Sequence, residues 1–162
     1  MKRLHFTCID TTKAFRPVFL AIVNNKPTTC LLDTGATIPV FSGTPELFNA
    51  WFLNTTNLTI IDQINIRGFG GDNCIAALYN LDRFSISDGK SSMHFRDMKI
   101  AVAVNKILPA QLLLPSPIFA FTRYCIDTTK IPAQIHIEPT FDNMFIKRSD
   151  KGLGIEVYAN RV

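Results

Sequence analysis

Short apolar runs separated by turn residues dominate this chain, and they predict a fold built mainly of strands. Val18–Val23 is one such run. Asn24-Asn25-Lys26-Pro27 reads as a turn, and Thr28–Leu32 resumes an extended, half-apolar pattern, so the three segments predict a β-hairpin. Thr44-Pro45-Glu46 has the form of a helix start, with Thr as cap and Pro in the first turn. Leu47, Phe48, Trp51 and Phe52 then share one helical face, giving a helix over 44–53. Residues 58–66 and 74–87 predict two strands joined across 67–73. Met98–Val104 predicts another, and Ala110–Leu114 a short buried one. Ser116-Pro117 reads as the opening of a second helix reaching about Tyr124. Ala133–Ile137 and a hairpin around Ser149–Gly154 close the chain. The fold class is all-β with one or two short helices.

Length and composition narrow this picture. The chain has 162 residues, 47% of them hydrophobic and 19% charged, which predicts one domain with a packed core. We place that core at about 15–137 and read 138–162 as a C-terminal extension or hairpin. The net charge of +4 comes from scattered Lys and Arg, with Lys147, Arg148 and Lys151 as the nearest thing to a cluster. A nucleic-acid groove needs a denser basic stripe, so a solvated basic surface is the better reading. Met1-Lys-Arg-Leu-His-Phe lacks the apolar core of a signal peptide, and no apolar run reaches the roughly 18 residues of a membrane span. Cys8, Cys30, Cys74 and Cys125 lie far apart without a Cys-x-x-Cys pair, which favours reduced thiols and a cytoplasmic setting over disulfides or zinc. His5, His94 and His136 are isolated in sequence. The six-residue segment Cys-Ile-Asp-Thr-Thr-Lys occurs twice, at 8–13 and 125–130, which is too few copies for a solenoid.

The stretch with chemical content is Cys30-Leu-Leu-Asp-Thr-Gly-Ala-Thr37. Two leucines carry a strand into the core, and Asp33 follows where that strand ends. Thr34 brings a hydroxyl, Gly35 lets backbone approach closely for want of a Cβ, and Ala36 suits a crowded site. By itself an Asp-Thr-Gly also describes an ordinary Asx turn after a strand.

Its surroundings add to it. Arg16-Pro17, a hairpin and Leu-Leu-Asp-Thr-Gly-Ala together resemble the opening of retroviral and retroelement aspartic proteases, the retropepsins. Ile66-Arg-Gly-Phe-Gly-Gly71, between two strands, is similar to that family's glycine-rich flap, and Gln111-Leu-Leu-Leu-Pro115 falls where the family has two apolar residues, a glycine and a helix. The resemblance covers roughly 15–125. It implies a retropepsin-like acid-protease fold working as a twofold homodimer. Asp33, Thr34 and Gly35 would be the catalytic segment, and Ala36, Gly68, Phe69, Gly70 and Gly71 would lie against a protein or peptide substrate. It implies no metal and no organic cofactor. Two carboxylates held close share one proton, so one activates water while the other polarises the peptide carbonyl. With a single Asp-Thr-Gly per chain, the second carboxylate would come from a second copy.

There are departures. Pro115 stands in place of the family's glycine, Ser116 in place of the viral arginine, and Thr37 in place of the viral aspartate, which leaves the role of Arg16 near a substrate open. A changed loop beneath Asp33 keeps a second reading in view: the same fold as a catalytically inactive peptide-binding or assembly module. A third, a nucleic-acid-binding accessory, rests on the basic charge alone. Asp10-Thr-Thr and Asp127-Thr-Thr lack the glycine and make weak second carboxylates, and a Cys74–His94 pair has no support beyond its residue types.

Overall fold

The computed structural model describes residues 3–9, 16–33, 35–52, 60–67, 73–103, 108–119, 122–139, 144–148 and 155–159. In chain order the described elements are β1 (Leu4–Thr7), β2 (Val18–Val23), β3 (Lys26–Asp33), β4 (Val40–Ser42), α1 (Pro45–Phe52), β5 (Ile60–Arg67), β6 (Asn73–Ser87), β7 (Ser92–Ala103), β8 (Leu112–Pro115), a 3-10 turn (Ser116–Phe119), β9 (Thr122–Asp127), β10 (Gln134–Pro139), β11 (Met144–Arg148) and β12 (Ile155–Ala159). Strands therefore dominate, as the apolar runs predict.

The first hairpin is tighter than its sequence suggests. Only Asn24 and Asn25 form the turn, at φ 45° and 67°. Two successive left-handed residues are what a two-residue hairpin loop requires, and asparagine tolerates them better than most. Lys26 and Pro27 consequently belong to β3, with Pro27 opposite Ile22. Asn24 also ties the turn to β6, since its Oδ1 accepts the Ser85 N–H at 2.8 Å and its own N–H donates to the Ser85 carbonyl.

Seven strands form the main sheet in the order β2-β3-β8-β4-β7-β6-β5. Two neighbouring rows explain its central composition. Cys30, Leu112, Phe41, Val102 and Ala77 lie side by side across β3, β8, β4, β7 and β6, and face the larger core. The adjacent row, Leu31, Leu113, Val40, Ala101 and Leu78, faces the opposite way into a second apolar cluster with Ile38, Ala76, Ala103 and Ala110. A strand buried on both faces reads as a continuous apolar run rather than an alternation. That is why Leu112-Leu113-Leu114 carries no polar position. Ala101, Ala103 and Ala76 keep the second layer thin.

Helix α1 starts where its cap predicts. Thr44 Oγ1 accepts the Leu47 N–H at 3.2 Å, and Glu46 sits in the first turn, where a negative charge is favoured. Phe48 and Phe52 are fully buried and meet Phe41, Tyr79 and Phe84, with ring centroids 4.7–6.3 Å apart. Trp51 is half-buried; its Nε1–H donates to Thr28 Oγ1 at 2.8 Å, and Lys26 Nζ lies 5.4 Å from its ring centre. The helix thus locks the start of β3 to the rest of the sheet.

The expected second helix is not formed. Residues 116–119 make a single 3-10 turn that turns Ile118 and Phe119 into the core, and Tyr124 lies in β9. The Thr122 hydroxyl donates to the Phe119 carbonyl and closes that turn. Thr122, Tyr124 and Ile126 suit a pleated strand, and pairing with β10 supplies hydrogen bonds across all of β9. Tertiary pairing here overrides the helix signal at Ser116-Pro117.

A smaller sheet, β1-β10-β9, packs beside the main one. Its rows are Thr7–Gln134–Asp127, Phe6–Ile135–Ile126 and His5–His136–Cys125, so the second copy of the hexapeptide and the residues that lead into the first flank the same central strand; of the first copy, 8 and 9 are among the described residues. Cys8 donates its N–H to Ala133, whereas Cys125 lies opposite His136. The copies are displaced by three rows, and an odd displacement exchanges the two faces. Cys8 is therefore buried and Ile9 exposed, while Cys125 is exposed and Ile126 packs against the core. Of the C-terminal segment, β11 and β12 pair antiparallel as a hairpin; residues 149–154 lie outside the described set.

The turn between β6 and β7 holds the two sheets together through Asp88. Its Oδ1 accepts the N–H groups of Lys90 and Ser91 at 2.8 and 2.7 Å, and its Oδ2 accepts the His5 N–H of β1 at 2.9 Å. Burial pushes this carboxyl up, but the Ser91, His5 and Lys90 amides and the His5 side chain outweigh it and hold it below its ordinary value. A group whose folded value is depressed stabilises fully above the ordinary carboxylate value, about 3.9, and loses that contribution as pH falls below it. Asp88→Ala should therefore cost about 0.5–1.5 kcal/mol at pH 7, the net scale of hydrogen bonds lost at a largely exposed turn. Urea unfolding at pH 7 and pH 3 checks this: the gap between the two proteins should shrink at the lower pH.

Candidate functional site

Three neighbouring segments position Asp33. β3 runs between β2 and β8, antiparallel to the first and parallel to the second, with Asp33 as its last residue opposite Pro115. The Leu32 N–H donates to the Pro17 carbonyl at 3.2 Å, so Arg16-Pro17 borders the end of the strand. Cys30, Leu31 and Leu32 are buried, and Asp33 is the first residue of the strand's inner end to reach partial exposure. Alternation along β3 puts Asp33 on the face that carries Leu31 and the second apolar cluster.

Beyond the strand the chain folds back at once. The Gly35 N–H donates to Asp33 Oδ1 at 3.0 Å, and the Ala36 N–H to the Asp33 carbonyl at 3.3 Å. This is the Asx turn that the short motif allowed. It fixes one carboxylate oxygen, and Oδ2 has no donor among the described residues.

Gly35 behaves differently from the expectation of a turn that needs glycine. Among the described residues a Cβ built there would meet only Asp33 Oδ1, at 3.5 Å, which is an ordinary contact. The described surroundings therefore do not require glycine at this position. Ala36 is half-buried beside it. Thr34 lies outside the described residues, as do Gly68, Phe69, Gly70 and Gly71. The strands that flank those glycines are described: β5 and β6 stay in register up to the Arg67–Asn73 pair, so 68–72 joins the end of a long hairpin.

Pro115 ends β8 opposite Asp33, where a missing N–H costs little because the strand stops there. Ser116 opens the 3-10 turn. Of the rival carboxylates, Asp10 lies outside the described residues. Asp127 belongs to the smaller sheet and serves its turn, accepting from the hydroxyl and the N–H of Thr129. The Thr129 hydroxyl first, and then its N–H, hold Asp127 below its ordinary value against a small opposing effect of desolvation. Cys74 and His94 do not meet. Cys74 is on β6 opposite Ile66 and His94 faces Ser85, eleven residues further along the same strand, or about 37 Å at 3.4 Å per residue. Cys8 and Cys30 are buried free thiols whose pKa is pushed up by desolvation, which makes them inert as nucleophiles.

No family model matches the chain, and no curated protein matches it by sequence. Solved structures do match its shape. A retropepsin-like aspartic protease from Rickettsia conorii superposes with a TM-score of 0.51 at 20% identity, over 85% of this chain and 91% of that one. The fold is retropepsin-like. An EIAV protease in complex with an inhibitor is also similar, at a TM-score of 0.40 and 20% identity over 68% of this chain and 91% of that one.

Within this retropepsin-like fold, sequence reading missed the second apolar cluster that shares a face with Asp33. Its signal was present as the run Leu112–Leu114 and the alternating Leu31/Asp33, but only register shows that these residues line up with Val40, Ala101 and Leu78. It also missed that His5 and His136 meet. Both were read as isolated, and the β1–β10 ladder brings them together across most of the chain.

The Gly35 geometry yields a test. Gly35→Ala should change the stability of a single chain by no more than about 0.5 kcal/mol, since the new methyl group finds ordinary space. Comparing its urea midpoint and its self-association with those of the wild type checks this. A variant that folds normally but fails to associate would trace the need for glycine to a second chain.

Proposed function

We propose that this chain is an aspartic endopeptidase that acts as a twofold homodimer, each subunit contributing Asp33. The observation that carries the reading is Asp33 itself: the half-exposed last residue of an otherwise buried central strand, in an Asx turn with Gly35, on a retropepsin-like fold. The sequence contains one Asp-Thr-Gly, so a pair of such carboxylates requires two copies. With Oδ1 of each held by its own Gly35 amide, the Oδ2 atoms are the ones available to face each other across the twofold axis. Two carboxylates that close share a single proton. The ionised member takes a proton from water as it attacks the peptide carbon, and the protonated member donates to the carbonyl oxygen.

In this proposal an extended peptide lies against the Asp33–Ala36 turns and pairs its backbone with the enzyme, while its alternate side chains fill pockets. Gly68, Phe69, Gly70 and Gly71 would cover it from the other side, since they join two strands long enough to project from the sheet. Thr34 would hydrogen-bond across the axis. Neither a metal nor an organic cofactor enters this chemistry. The Pro115 substitution favours the second reading, a peptide-binding module with an unproductive carboxylate pair, because it changes the residue directly beside Asp33.

Subunit mixing separates these readings. Asp33→Asn keeps the volume of the side chain and removes the shared proton, so it should fold and dimerise without cleaving a peptide library. Refolding equal amounts of wild type and variant together leaves about a quarter of dimers intact, and activity should fall to about half of that given by the wild-type protein alone. Activity proportional to wild-type chain would overturn the shared site. Peptide capture without cleavage by either protein would support the binding module instead.

A further inference from the structure

Strand β9 forms an edge of the smaller sheet, and among the described residues its far side has no ladder. Which groups face that side follows from one hydrogen bond. The Cys8 N–H donates to the Ala133 carbonyl at 2.8 Å, so these two residues form a hydrogen-bonded pair alongside the β1–β10 ladder. Such pairs alternate with pairs that share no bond, which makes Phe6–Ile135 bonded and His5–His136 not. The backbone groups of Gln134, His136 and Glu138 therefore turn towards β9, where they meet Asp127, Cys125 and Arg123. Those of Thr122, Tyr124 and Ile126 point away from the sheet. An open edge of this kind is a template for a further strand.

The side chains of this edge divide by face. Arg123, Cys125 and Asp127 share the outer face; Tyr124 and Ile126 share the core face, where Ile126 packs against the core and Tyr124 stays 42% exposed. Glu138, in the same row as Arg123, is taken by Arg3 at 3.1 Å, and Arg123 has no ion-pair partner among the described residues. Asp127 accepts from Thr129 through Oδ1, and no donor reaches its Oδ2 among the described residues. Thr129 first, and then Lys130 and His136, favour its ionised form. The edge thus carries a cation at one end, an anion at the other and a partly exposed aromatic ring between them.

We propose that β9 pairs antiparallel with β9 of a second copy of this chain about a twofold axis, Cys125 opposite its own symmetry mate and Arg123 opposite the partner's Asp127. This interface rests on the homodimeric reading of Asp33 and names the surface that joins the subunits. Charge selects the register. Outward-facing backbone groups pair only with one another, so the partner slides in fixed steps. One step either way sets Arg123 or Asp127 opposite the partner's Cys125, and a second step sets two arginines or two aspartates face to face, where like charges repel. The chosen register also brings Tyr124 against the partner's Ile126, so the apolar row Leu4–Ile137–Tyr124 continues into the second subunit. Pro115, beside Asp33, leads through the 3-10 turn into β9, so one short segment links the joined edge to the carboxylate. Residues directly opposite in a pair without hydrogen bonds stand about 4.5 Å apart at Cα, which puts the two Cys125 thiols within disulfide reach.

Sedimentation of the full chain under reducing conditions, followed by treatment with diamide, tests this. Diamide takes two electrons and two protons from a pair of thiols, becomes the hydrazine and leaves a disulfide. The wild type and Asp33→Asn should both sediment as dimers and cross-link. Cys74→Ser should keep the cross-link, and Cys125→Ser should lose it while remaining dimeric. Arg123→Glu and Asp127→Lys should each weaken dimerisation by about tenfold or more, and the double variant, with the charges exchanged, should recover it to within about threefold. A monomeric wild type, a dimer that diamide does not link through Cys125, undiminished dimerisation in both single variants, or a folded double variant as weak as either would overturn the assignment. If the charge variants unfold, the Cys125 cross-link of the wild type decides alone. A peptide library separates this interface from the protease reading. Cleavage by a dimer that lacks the Cys125 link overturns the interface and leaves the shared carboxylates standing; a Cys125-linked dimer that cleaves nothing supports the interface and removes the protease.

Discussion

The structure depends on one strand being buried on both faces. β3 is inserted between β2 and β8, and its inner residues alternate between two cores, Cys30 and Leu32 on one side and Leu31 on the other. A strand in that position cannot slip by one residue without exchanging its faces, and it cannot shift lengthwise without unpairing Leu31 and Leu32 from β8. Asp33 is the point at which this apolar segment ends. Its position is therefore set by the packing of the three residues before it, and its orientation by the Gly35 amide after it. Helix α1 contributes from a distance, because Trp51 holds Thr28 near the strand's start.

Among the described residues no donor reaches Asp33 Oδ2, and a Cβ at Gly35 would meet only Asp33 Oδ1. In the twofold dimer we propose, a second Asp33 would face the first and the backbones would approach closely, so that each chain carries half of one chemical device.

The smaller sheet shows how one sequence serves two roles. Cys8 and Cys125, each the first residue of the same hexapeptide, lie on either side of β10, yet a three-row displacement buries the first and exposes the second. The same sheet joins His5 to His136, and Asp88 connects it to the main sheet through β1. Its outer face is thus a meeting place for residues from both ends of the chain.

Short-range physics was sufficient for much of this to be legible in the sequence. The β2–β3 hairpin, the Thr44 cap of α1, the β5–β6 hairpin around the glycines and the Asp-Thr-Gly at a strand end are all decided by neighbouring residues, through left-handed asparagines, a capping hydroxyl and apolar runs. These were enough to predict an all-β fold, and its retropepsin-like form followed from the resemblance of the Asp-Thr-Gly segment and its surroundings to that family. What the sequence left undecided required pairing over long separations. Residues 116–124 read locally as a helix, but β10 offers a ladder, so all but one turn becomes strand. Gly35 reads as a conformational need, but its surroundings show ordinary space. The histidines read as isolated, and their contact exists only because β1 returns to β10. In each case the deciding interaction is a register between strands distant in the chain, and register is a property of the whole sheet, not of any segment within it.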